Sequence, residues 1–90
     1  MAIKPRTTFK KEINKNGGTA ERGVVHVDIT APNEELADLM EAKLVEIGYE
    51  SGEYGDDLGA GGYLFSIFVR SSEMKEFNRD YSNIKKNLTK

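Results

Sequence analysis

Apolar and polar residues alternate along Gly23 to Thr30, with Val25, Val27 and Ile29 on one side and Val24, His26 and Asp28 on the other. That period of two predicts a half-buried strand with its valine and isoleucine face turned to a core. Gly61 to Arg70 alternates differently, placing Tyr63, Phe65, Ile67 and Val69 on one side and Leu64, Ser66, Phe68 and Arg70 on the other. Bulky apolar groups therefore stand on both faces of this second strand. Between the two, Leu36, Leu39, Met40, Leu44 and Ile47 recur at helical spacing. Asn33 is placed to cap the first turn, Glu34 and Glu35 suit the positive end of the dipole, and Gly48 suits the left-handed stop. Met74, Phe77, Tyr81, Ile84 and Leu88 predict a last helix capped by Ser71 or Ser72, with Glu73 in its first turn. Thr7 to Ile13 suits a short edge strand whose lysines discourage edge pairing. Asn16-Gly17-Gly18 predicts the turn out of it, and a weak strand is expected around Glu50 to Tyr54.

The order is strand, strand, helix, strand, strand, helix, which predicts an α+β fold: one four-stranded antiparallel or mixed sheet with two helices on one face. Strands one and two form a hairpin. The helical crossover is expected to leave strands two and four parallel in the centre, giving a sheet order of 1-2-4-3. This arrangement resembles a ferredoxin-like sandwich whose last strand has moved to the front of the chain. Residues 1–90 read as one domain, with residues 1–6 a loose start. Val25, Val27 and Ile29 with Tyr63, Phe65, Ile67 and Val69 are the expected core. Leu64 and Phe68 then fall on the open face beside His26, Asp28 and Arg70, where Ile3 and Phe9 are the chain's own candidates to cover them.

The absence of cysteine from the sequence excludes a disulfide framework and thiolate metal sites. No apolar run is long enough to suggest a membrane span, and the first residues lack the apolar stretch of a signal peptide, so a cytoplasmic protein is expected. Net charge is −2 but unevenly spread: residues 1–15 hold five basic side chains against one acidic, and residues 31–60 hold nine acidic against one basic. If the fold separates these segments, the molecule has an acidic side, formed by the first helix with Glu50, Glu53, Asp56 and Asp57.

Catalytic chemistry finds little footing. His26 is the sole histidine and Asp28 its neighbour on the same face, but no nucleophile accompanies them. The spacing of Glu50, Glu53, Asp56 and Asp57 does not fit an EF-hand loop, and Gly59-Ala60-Gly61-Gly62 lacks the Lys-Ser/Thr ending of a phosphate loop. Neither a metal nor a cofactor is expected. Gly62, Tyr63, Phe65 and Phe68 fall at the positions of the aromatic signature of the third strand of RNA-recognition motifs, and to that extent the strand resembles that family. The resemblance implies single-stranded RNA binding with Tyr63 and Phe65 exposed for stacking. Gly61 stands where the family has a basic residue, Leu64 where it has a small one and Ser66 where it has valine. The acidic central segment also disfavours phosphate contact.

These readings converge on a non-enzymatic binding protein, an inhibitor or regulator of phage type that docks on a larger protein or nucleoprotein with a basic surface. The expected contact residues are Leu64, Phe68, His26, Asp28 and Arg70 on the sheet face and Glu50, Glu53, Asp56 and Asp57 on the acidic side. Self-association into a homodimer is the further expectation, through Leu64 and Phe68 or the Phe77 and Tyr81 seam.

Overall fold

The computed structural model describes residues 8–14 and 23–89. Strand β1 (Lys10–Ile13) is followed by β2 (Val24–Ala31), helix α1 (Glu34–Ile47), strands β3 (Glu50–Asp57) and β4 (Tyr63–Arg70), and helix α2 (Met74–Leu88), with short 3₁₀ turns at Gly59–Gly61 and Ser71–Glu73. The four strands form one sheet in the order β1-β2-β4-β3, and every pairing is antiparallel. Residues 1–6, Ile3 and the Asn16-Gly17-Gly18 turn lie outside the described residues.

The expected parallel pairing of β2 and β4 is thus corrected. Helix α1 returns the chain so that β3 runs in the same direction as β2 but one strand position away. The turn after β3 is tight, with Leu58 N–H donating to Gly62 O at 2.8 Å, and so short a connection joins only antiparallel strands. β4 therefore enters the gap antiparallel to both neighbours. The register sets Val25 against Val69, Val27 against Ile67 and Ile29 against Phe65, so both central strands present their β-branched and aromatic rows to the same side.

Both helices pack on that side. Asn33 Oδ1 accepts the Leu36 amide at 2.9 Å, and Gly48 closes α1 at φ 117°. α1 buries Ala37, Met40 and Leu44, whereas Leu39 and Ile47 from the expected stripe are 44% and 55% exposed. Leu39 lies about 100° round the helix from Met40, beyond the stripe that meets the sheet. α2 buries Phe77, Tyr81 and Ile84. Neither Ser71 nor Ser72 caps it. Ser71 instead donates both its amide (2.8 Å) and its hydroxyl (3.0 Å) to Gly23 O, tying the exit of β4 to the entry of β2. Phe9 is buried within the helix-side core and is not a cover for Leu64 and Phe68.

The three aromatic rings at the helix interface divide in their polar chemistry. Tyr49 stands edge-on to Phe77 at 5.2 Å between centroids, and its hydroxyl donates to Asp80 Oδ2 at 2.8 Å. Desolvation first, and that hydrogen bond second, push the Tyr49 hydroxyl above its ordinary range. Tyr81 stacks on Phe77 at 6.3 Å, and its ring lies under the Lys11 ammonium at 5.3 Å. Its hydroxyl, however, is buried without a hydrogen-bond partner among the described residues. An orphaned buried hydroxyl carries a desolvation cost that a phenylalanine would not. Tyr81→Phe is therefore expected to leave stability unchanged or raise it by about 1 kcal/mol, and Tyr49→Phe to lower it by about 1–2 kcal/mol; urea denaturation of both variants checks this contrast.

Candidate functional site

The register assigns each remaining side chain of the sheet to one of two surfaces. On the open face, three rows cross the strands: Lys10, Thr30, Leu64 and Asp56; then Glu12, Asp28 and Ser66; then His26, Phe68 and Glu50. Val24 and Arg70 close the far end, where Arg70 is exposed. Leu64, Phe68 and His26 are half-buried by their own neighbours. The His26 and Phe68 rings sit 4.9 Å apart at 55°. His26 Nε2 lies 3.6 Å from Asp28 Oδ1, too long for a hydrogen bond, and both ring nitrogens are buried with no hydrogen-bond partner among the described residues. Ser66 is only 1% exposed, and its hydroxyl too has no such partner.

The acidic segment, where a weak strand is expected around Glu50 to Tyr54, is a bulged edge strand running from Glu50 to Asp57. Between Ser51 and Gly55 the β3–β4 register shifts, with Ser51 opposite Ile67 and Gly55 opposite Phe65. Gly52 lies so close to Ser66 that a Cβ there would stand 3.0 Å from its Oγ. The bulge carries Glu53 at φ 54°, a left-handed conformation that costs a glutamate about 1–2 kcal/mol. Its amide is held by Ser51 Oγ at 3.1 Å, and that hydroxyl donates in turn to Glu41 Oε2 at 2.9 Å.

The consequence is a division of the four expected carboxylates. Glu50 and Asp56 pair with Phe68 and Leu64 and belong to the open face. Asp57 pairs with Tyr63 on the helix side, where its Oδ1 accepts the Gly59 amide at 2.9 Å. Glu53 reaches a cleft of about 320 Å³ between α1 and β3, lined by Asp38, Glu41, Tyr54, Tyr63 and Phe65. The sequence joined Glu53 to the first helix as one acidic side without singling out Asp38 and Glu41 of that helix, and Tyr63 read as core. The signal was present, since Asp38 and Glu41 are three apart on the helix flank that faces β3. The Tyr63 hydroxyl is pushed above its ordinary range, first by desolvation and then by Glu34, Asp38, Asp57 and Glu41, which together make the cleft electronegative.

Phe65 is 2% exposed within the helix-side core, so the stacking platform implied by the RNA-recognition resemblance is absent at that position. Among the described residues no three histidine, cysteine or carboxylate side chains converge so as to hold a metal ion, and no helix is long and apolar enough to cross a membrane.

Gly55 forms one wall of the cleft, and a Cβ there would collide with the Tyr63 hydroxyl. Gly55→Ala is expected to displace the Tyr63 ring and lower stability by about 1–3 kcal/mol. In a Tyr63→Leu background the same change should cost less, as a double-mutant cycle by thermal denaturation will register. Compared with known proteins, the chain matches no family model, no curated protein and no solved structure.

Proposed function

We propose that this chain is a small non-enzymatic binding protein, an inhibitor or regulator of phage type acting in the cytoplasm, which docks through its acidic cleft on a larger protein with a basic surface. The observation that carries this reading is Glu53. Among the described residues it is the non-glycine residue with positive φ, and it lines the same hollow as Asp38 and Glu41. Strain of this kind is retained where the surrounding structure gains something from it. A hollow rimmed by three carboxylates and walled by Tyr54, Tyr63 and Phe65 suits a lysine or arginine side chain of a partner. Its cationic head would meet the carboxylates while its stem lies along the rings.

The fold is read in the same spirit as a ferredoxin-like sandwich with its last strand moved to the front. Supporting this are the β1-β2-β4-β3 order and the split β2-α1-β3 unit, whose two strands run in the same direction with β4 between them. Such a scaffold leaves both the cleft and the sheet face accessible. The assignment to inhibitors or regulators rests on size and on the acidic segment.

Glu53→Gly separates binding from folding. Glycine accepts the left-handed conformation, so the variant is expected to be more stable by up to about 1 kcal/mol. It loses one carboxylate from the cleft. Titration with a short arginine- and lysine-rich peptide, followed by the NMR shifts of Tyr54 and Tyr63, is expected to show salt-sensitive binding. Glu53→Gly combined with Asp38→Lys should weaken it roughly tenfold or more. Equal affinity for the variant, or no binding at low ionic strength, would overturn the proposal.

A further inference from the structure

We propose that the open sheet face is the contact surface of a symmetric dimer, its occupant being a second copy of this chain. The charges on this face are arranged antisymmetrically about its middle. In the register of the sheet the first row runs Lys10, Thr30, Leu64, Asp56, so a cation stands on one edge strand and an anion at the same height on the other. A two-fold axis lying in the contact plane, parallel to the strands and between β2 and β4, exchanges the two edges while keeping each row at its height. Lys10 then faces Asp56 of the second copy, twice by symmetry.

The same operation settles the other rows. His26 faces Phe68 of the second copy, adding ring contact to the pair each chain already makes internally at 4.9 Å. Asp28 faces the Ser66 position of the second copy, where Gly52 covers the serine hydroxyl. Thr30 faces Leu64, and Val24 faces the stem of Arg70. The alternative in-plane axis, perpendicular to the strands, reverses the rows and stacks Asp56 on Glu50 of the second copy, a like-charge contact on each side. Charge therefore selects the first arrangement.

Within one chain Lys10 pairs with Glu12 at 2.8 Å, with side chains 53% and 63% exposed. An exposed pair of that kind contributes little, so the ammonium is available to a new partner. Four strands about 4.8 Å apart and up to eight residues long, at about 3.4 Å each, cover about 500 Å² per copy. The total of about 1,000 Å² reaches the lower bound of specific interfaces. Two sheets packed face to face about 10 Å apart place the edge residues within reach of a lysine stem. The dimer is therefore expected to be weak, with a dissociation constant in the micromolar range, and assembly to follow concentration.

Sedimentation equilibrium over a concentration series tests this. The wild-type chain should pass from monomer to dimer. Asp56→Lys and Lys10→Glu should each raise the dissociation constant roughly tenfold, because each sets like charges against one another at two symmetric positions. Combining the two in one chain restores opposite charges and should restore the dimer, an outcome that damage to the fold cannot imitate. A chain that stays monomeric up to millimolar concentration, leaving the face to some other occupant, overturns the proposal. So does a dimer whose constant is unmoved by the single reversals and by Phe68→Glu.

Discussion

The pairing of β2 with β4 is the interaction on which the remaining structure depends. It is the longest ladder in the sheet, running from Val24 opposite Arg70 to Ala31 opposite Tyr63. Its register leaves no freedom of face: a slip of one residue would turn Val27, Ile29, Phe65 and Ile67 away from the helices and bring Asp28 and Ser66 inward. Burial of the matched rows fixes where α1 and α2 sit, and the tie between Ser71 and Gly23 fixes where the ladder ends. Once that ladder is set, β1 and β3 can occupy only the edges.

The edges are where the chain departs from regularity. The shift between Ser51 and Gly55 adds two residues and so keeps the alternation of faces, leaving Glu53 on the helix side with Ser51, Gly55 and Asp57, while Gly52 takes the position pressed against Ser66. One irregularity thus links the two surfaces. It supplies the third carboxylate of the cleft, and it covers the serine hydroxyl on the open face.

Much of this was legible in the sequence. The two strands with alternating Val25, Val27, Ile29 and Tyr63, Phe65, Ile67, Val69 were clear because burial imposes a period on side chains. Asn33 and Gly48 marked α1 because capping needs particular chemistry at particular places. Strand direction was not legible, since alternation is identical in parallel and antiparallel strands, and the brevity of the Leu58 to Gly62 turn had to decide it. The bulge was not legible either. Glu50, Ser51, Gly52, Glu53 and Tyr54 carry no apolar pattern from which a register shift can be read, although the division of the acidic residues follows the even and odd positions of a strand, Glu50 and Asp56 against Glu53 and Asp57. Leu39 and Ile47 were misplaced because a stripe of five residues is wider than the part of α1 that meets the sheet.

Edges of opposite sign create a hazard that the bulge also addresses. A basic β1 and an acidic β3 invite head-to-tail pairing between copies, and edge pairing of that kind does not close on itself but grows into filaments. Hydrogen bonding along a strand edge requires an unbroken row of amides and carbonyls in extended geometry. β3 breaks that row at Glu53, whose φ of 54° turns the backbone out of the pleat, and β1 offers only four residues, Lys10 to Ile13. The backbone thereby blocks the association that the charges alone would favour, and the complementarity of Lys10 and Asp56 is left to act across the sheet face, where the proposed two-fold axis would close the assembly at two copies.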